Sequence, residues 1–301
     1  MSERIPAAGN AGAEPQLPVR SKKKSNLFFK KLVRNKLALA GLVIITLMIV
    51  TALFAPLIAT HPPEKMDAAN ALAAPGTNGH LLGTDNYGRD LFSRIVYGTQ
   101  ISIVVGLLSV GFGAVAGTLL GLVAGYYGGK LDGVIMRIMD GLFAFPFILL
   151  AITLMTALGN GLTNVIIAIG VASIPGFARL VRGQVLSVKE EEFVEVARSI
   201  GSPNVRIIFT NILPNCMAPI IVYGTMSIAG AILSEAALSF LGLGVQPPTP
   251  TWGNILKDGK DFLVLSPHMA MFSGLAILLT VVGFNIFGDG LRDSLDPKMK
   301  I

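Results

Sequence analysis

Long runs without a single charge constrain this chain more than anything else in it. Leu37 to Ile58 contains no charged residue, and neither does Ile95 to Gly129, whose most helical part is Ile101 to Tyr126. A third run begins near Val134, carries Arg137 and Asp140 in its first turns, and then stays uncharged through Ala178. A helix needs about 20 apolar residues to cross a bilayer. The third run is therefore too long for one crossing, and the turn signal Gly159-Asn160-Gly161 divides it into two. Cys216 to Leu241, with Glu235 near its end, and Pro267 to Phe287 bring the expected spans to six. The expected fold class is an all-α membrane protein. Charged residues make up 14% of the chain, against about 25% in ordinary soluble domains, which argues against a soluble enzyme. Cys216 is the only cysteine, so no internal disulfide can form.

The positions of Lys and Arg set the expected orientation. Of the 24 in the chain, nine lie in the segment up to Lys36. With six spans, the second loop, the fourth loop and the C-terminus share its side and add ten more, leaving Lys65, Arg89, Arg94, Lys257 and Lys260 opposite. That imbalance puts both termini in the cytoplasm. The net charge of +6 then faces anionic lipid and gives no reason to invoke nucleic acid. The first span is too long for the apolar core of a signal peptide and reads as an uncleaved anchor. The expected organisation is a disordered basic cytoplasmic tail over 1–26; the first span, an outer loop and an interfacial helix over 27–98; a five-span core over 99–291; and a cytoplasmic tail over 292–301. Within the core, a cytoplasmic loop occupies 183–215.

That loop is the most informative stretch. Ser187 with Glu190 forms a capping box, and Glu190, Glu191 and Glu192 suit the first turn of a helix. Phe193, Ala197 and Ile200 fall on one face. Gly201 stops the helix, Ser202 caps a second one with Pro203 at its first position, and Pro214 marks the return to the membrane. A solvated connector is the plain reading; a rigid two-helix corner that docks into a partner's groove is the sharper one.

The residues also carry a resemblance. Glu195, Ala197, Gly201, Leu213 and Pro214 match, at the right spacing, the loop pattern of ATP-binding cassette (ABC) importer permeases. Val196 and Asn211 depart from that pattern at helix-packing positions. The stretch from His80 to Arg94, Tyr126 to Asp132, Leu238 to Gly244, Gln246 to Gly253 and Gly288 to Pro297 resemble the "C"-type permeases of the dipeptide, oligopeptide and nickel branch. The resemblance covers residues 28 to 300. It implies a type I importer permease in the bacterial plasma (inner) membrane. Its implied partners are a second permease, two ATP-binding subunits and an extracytoplasmic substrate-binding protein. It also implies that Glu192, Phe193, Glu195, Ala197, Arg198, Gly201, Ser202 and Pro214 couple to the ATPases. ATP and magnesium belong to those partners, and no cofactor is expected on this chain.

Other motifs can be read without the family. Thr84 or Asp85 caps a short interfacial helix before the second span, with Leu91, Phe92, Ile95 and Val96 on its apolar stripe and Arg89, Asp90 and Arg94 off it. The helix either packs with internal Arg–Asp pairs or docks an outside partner. Gly113, Gly117, Gly121 and Gly125 recur every fourth residue, a seam that lets a helix approach closely, within the subunit or across a subunit interface. Glu235, an acid inside a span, is a candidate for the substrate path, with structural pairing as its alternative. Arg137 and Asp140 read as a helix-end pair. No phosphate loop, serine-hydrolase elbow or zinc spacing occurs, so no catalytic or metal-ligating set is expected; His61, His80 and His268 are far apart in the sequence. A self-sufficient channel or secondary transporter is the rival reading, and would need a polar membrane interior and inverted repeats.

Overall fold

A computed structural model describes residues 35–295. The N-terminal tail expected to be disordered and the final residues lie outside the described residues. Those described are helical, with strand-like pairing confined to two isolated bridges, Thr77 with His80 and Thr84 with Asp90. The helices are α1 (Lys36–Leu53), α2 (Ala55–Ile58), α3 (Leu91–Tyr127), α4 (Gly129–Phe143), α5 (Phe147–Leu158), α6 (Leu162–Val188), α7 (Glu192–Ser199), α8 (Asn204–Phe240), α9 (Trp252–Lys260) and α10 (His268–Leu295). Of these, α1, α3, α6, α8 and α10 are long and apolar enough to cross a membrane.

The close pairing of α3 with α6 organises the bundle. A Cβ on Gly113 would lie 2.7 Å from Ser173 Cβ, and one on Gly117 would lie 2.5 Å from Phe177 Cβ. On Gly121 it would lie 2.8 Å from Val181 Cβ, and on Gly125 2.7 Å from Val185 Cβ. Each contact is too close for any side chain on α3. The glycine seam thus faces a neighbour in its own chain. Partners rise together along both helices, so α3 and α6 run parallel. A chain that crosses in one direction through α3 must return before crossing the same way through α6.

That return is the pair α4 and α5, which meet at 90°. The sequence suggests one third span with Pro146 interrupting or bordering it; the structure has two helices broken around Pro146, which has no N–H to donate and clashes with a continuing helical turn. Parallel packing makes the bent pair one crossing and the count six. At the two ends of the described chain, Ala38 of α1 packs on Gly290 of α10, and Gly41 sits against Gly283 and Phe287. The pairing is antiparallel, so the start of α1 and the end of α10 lie at one end of the bundle.

Three further expectations are corrected. No separate interfacial helix precedes the second span, because α3 begins at Leu91 and continues unbroken for 37 residues. Its cap is neither Thr84 nor Asp85 but Asp90, whose Oδ2 accepts from the Ser93 N–H at 2.8 Å. Asp140 pairs with Arg179 at 2.7 Å rather than with Arg137, because α4 lies across the end of α6. There Arg182 Nε and Nη2 also grip Asp132, at 2.5 and 2.6 Å.

The seam yields a paired prediction. Gly117→Leu forces its side chain into Phe177 Cβ and the backbone of Ile174 and Ala178 and should cost about 1–3 kcal/mol as overpacking. Gly111→Ala, on the same helix, meets nothing within 4 Å and should be neutral or slightly stabilising. Melting temperatures of the two purified variants in detergent check this; equal values would remove the seam's importance.

Candidate functional site

At one end of the bundle the chain makes a corner between α6 and α8. The capping box expected at Ser187 does not form, because α6 runs on through Val188. The short helix α7 starts only at Glu192, with Glu191 at its cap position. Val194 and Ala197 are its buried residues and pack with Ile207, Ile208 and Ile212. The face expected to hold Phe193, Ala197 and Ile200 together is therefore split. Ala197 points inward, while Phe193, Val196 and Ile200 stand out, Ile200 at 75% exposure. A period of 3.6 places residues 193, 196 and 200 on one outward stripe.

The corner is a Schellman motif. The Gly201 N–H donates to Arg198 O at 2.9 Å and the Ser202 N–H to Ala197 O at 3.1 Å. Gly201 has φ +76°, the left-handed region that favours glycine. Ser202 makes no side-chain cap, contrary to expectation, because Pro203 holds the cap position of the next helix. That helix is not a separate cytoplasmic element either: it continues directly into α8.

Ile207–Ile212 is a π-helical segment, in which the Leu213 N–H reaches back five residues to Ile208 O. Pro214 follows at once, and its missing N–H and ring clash disfavour a regular turn there. Pro214 itself is exposed. The corner is tied to the bundle by Tyr126 Oη donating to Asn204 Oδ1 at 2.8 Å, Lys189 Nζ donating to Gly125 O at 3.3 Å, and Arg198 lying 5.4 Å from the Tyr126 ring. Glu192, Glu195 and Arg198 are exposed around the apolar stripe. The arrangement is a rigid, amphipathic knob.

Between α4, α5, α6 and α8 lies an open groove of about 200 Å³. Phe143, Phe147, Ser173, Gly176, Tyr223 and Ser227 form most of its wall, with Gly230 beside them. The Tyr223 ring is held edge-on against Phe177 at 4.8 Å. Glu235, the sequence's candidate for a substrate path, lies outside this wall and is fully buried. Ser239 Oγ donates to its Oε1 at 2.8 Å, and its Oε2 has no hydrogen-bond partner among the described residues. Gly230 and Ala231 border the groove, while Ile232 packs toward Gly106 and Glu235 toward Ser102, both on α3.

At the opposite end, the loop after α2 folds into a capped structure. Asp85 accepts from Arg89 Nε at 2.6 Å and lies 3.4 Å from Arg94 Nε, and Asp258 of α9 lies 3.6 Å from Arg89. Arg89, Asp90 and Arg94, expected off the apolar stripe, are all buried. The internal-pairing reading describes Arg89 and Arg94; the sequence alone cannot show that their carboxylates come from a folded loop and from α9. Burial pushes the Asp258 carboxyl up, against the pull of Arg89 and Arg94. Trp252 Nε1 fastens α9 to α3 by donating to Ile95 O at 3.0 Å. His61 and His80, far apart in sequence, both approach Asp90, with ring centroids 4.7 Å apart. Spacing gave no sign of this meeting, because each residue arrives on a different part of the loop.

Comparison with known proteins places this architecture. Residues 117–301 match the "Binding-protein-dependent transport system inner membrane component" family, and residues 25–75 match the "N-terminal TM domain of oligopeptide transport permease C". The chain is 50% identical over 272 residues to the dipeptide transport system permease DppC of Alkalihalophilus pseudofirmus, covering 90% of this chain and 89% of the relative. It is 50% identical over 274 residues to the glutathione transport system permease GsiD of Escherichia coli O157:H7, covering 91% and 90%. An inward-facing structure of the MetNI methionine ABC transporter shares the fold, with a TM-score of 0.57, 18% identity, and coverage of 68% of this chain and 98% of that one. The chain belongs to the inner-membrane permease components of binding-protein-dependent ABC importers, in the C-type branch, where ATP hydrolysis resides on separate subunits.

Proposed function

We propose that this chain is the C-type half of a peptide importer, in which the corner at Gly201 receives the motion of an ATPase and the groove beside Tyr223 forms one wall of the path. The corner carries the reading. It is a short helix stopped by a Schellman turn, with an outward apolar stripe that has no partner within the described residues, and helix-in-groove docking uses such stripes. Lys189, Arg198 and Arg206 lie at that same end. The Lys and Arg imbalance argues that this end, with both termini, faces the cytoplasm.

In this reading Phe193, Val196 and Ile200 seat in an ATPase cleft, while Glu192, Glu195 and Arg198 fix the register at its rim. Gly201 and Pro214 set the angle at which the knob leaves the bundle. A second, similar permease closes the groove, two ATP-binding subunits hold the ATP and magnesium, and a binding protein delivers substrate from outside. Closure of the ATPases pushes on the knobs and switches the path by rigid-body motion. The relatives named for dipeptide and glutathione transport support a short peptide as the cargo. The groove suits one: it is apolar, with hydroxyls at Ser173, Ser227 and Tyr223 able to meet a peptide backbone.

Two experiments test the two halves of the proposal. Ile200→Asp should leave insertion and melting unchanged, because the side chain is exposed, yet reduce ATPase co-purification and peptide uptake about tenfold or more, as loss of an interface anchor does. Gly201→Asp should act in the same direction, with an added backbone strain of about 1 kcal/mol. Normal co-purification and uptake in both would overturn the coupling role. In the groove, a Cβ on Gly230 meets nothing within 4 Å, so Gly230→Leu should fold, assemble and block uptake. Glu235→Gln, outside the groove, should retain uptake within about twofold, since it keeps the shape and the Ser239 contact. The reverse pattern would move the path to Glu235.

A further inference from the structure

We propose that His61, His80 and Asp90 bind a first-row divalent transition-metal ion, of the Zn²⁺ class, at the end of the bundle opposite the corner. Their ligating atoms all lie within 4.8 Å of one another. Asp90 Oδ1 sits 2.8 Å from His80 Nδ1 and 3.7 Å from His61 Nδ1, which also lies 3.0 Å from Thr60 Oγ1, so the same nitrogen of both rings lies beside one carboxylate oxygen. The other oxygen is already committed. Asp90 Oδ2 accepts from Ser93 N–H at 2.8 Å, Ser93 Oγ at 2.7 Å and Thr60 Oγ1 at 3.2 Å. These bonds lock the carboxylate with Oδ1 turned to the rings, which is how outer-shell partners orient a ligating carboxylate. Two imidazoles and one carboxylate are the donor set that borderline divalent ions favour, leaving a further position for water.

Charge and access agree with this assignment. The nearby cations Arg89 and Arg94 are engaged by Asp85 and Asp258. The His61 side chain is 36% exposed, which gives an ion a way in. The three ligands come from the segment leaving α2, from the turn at Thr77–His80 and from the cap of α3. A bound ion would therefore staple the loop to the start of the second span. The inference is independent of the cargo and of ATPase coupling.

The test uses the full chain in its purified assembly, carrying a tag without histidine and stripped with a chelator. Zn²⁺ titrated by calorimetry should bind at one site per chain and raise the melting temperature, and Co²⁺ at the same site should give a visible d–d band. His61→Ala, at the exposed ligand, should weaken Zn²⁺ binding about tenfold to a hundredfold and abolish the band; His80→Gln should do the same. His268, the third histidine, hydrogen-bonds elsewhere, 3.4 Å from Thr84 O, and His268→Gln should leave binding unchanged. Absence of saturable Zn²⁺ binding to the wild-type assembly, or unaltered affinity in His61→Ala, would overturn the proposal and leave the cluster a hydrogen-bonded cap. Should His80→Gln fail to fold, the His61→Ala titration and the Co²⁺ spectrum decide alone.

Discussion

Backbone-to-backbone closeness between α3 and α6 is the constraint on which this structure rests. Lipid supplies no hydrophobic drive to bring helices together, so the contact depends on dispersion, and dispersion requires proximity. Four glycines at every fourth position remove the side chains that would hold the helices apart, and Ser173, Phe177, Val181 and Val185 fill the space. Because the seam forces the two helices parallel, the segment between them has to cross back. The bend at Pro146 shapes that return, and the groove opens beside it, walled on one side by Phe143 and Phe147 and on the other by α6 and α8.

The corner obeys a different economy of contacts. Its inward face is small, Val194 and Ala197 resting on the π-helical segment, and its shape is fixed mainly by main-chain hydrogen bonds around Gly201. A knob built this way holds its large side chains outward while main-chain hydrogen bonds keep its shape. The π segment adds a local irregularity in hydrogen bonding where the knob joins the span, at the point where a force on the knob would enter α8.

Much of this was legible in the sequence, for identifiable reasons. Charge-free runs gave the crossings, because the bilayer penalises every unpaired charge. Gly201 and the acids before it gave the corner, because left-handed turns and helix ends have strong local chemistry. What local pattern could not give was anything decided across the loop from residue 59 to residue 90. Arg89, Asp90 and Arg94 read as lying off the apolar stripe, paired among themselves or facing a partner, yet Asp85, Asp258 and His80 meet them in a buried cluster. The capping box at Ser187 is sound local grammar overridden by the continuation of α6. Spacing puts Phe193 and Ala197 side by side on α7, and only packing against the π-helical segment decides that Ala197 lies inside and Phe193 at the exposed edge. Glu235 was picked out by its charge alone; only the rotation of α8 shows that it faces α3 rather than the groove.

The length of α3 carries a mechanical consequence. Thirty-seven residues in one unbroken helix span about 56 Å at 1.5 Å per residue, far more than the roughly 30 Å hydrocarbon layer. One end is clamped by Asp90, Trp252 and the loop; the other ends at Tyr126 and Tyr127, where Asn204 of the corner is bonded. A single stiff strut therefore joins the two aqueous faces, without a proline along its length to absorb bending. A small tilt imposed at one face must reappear at the other as a displacement of opposite sense, so the two ends of the bundle are geared together through one continuous rod.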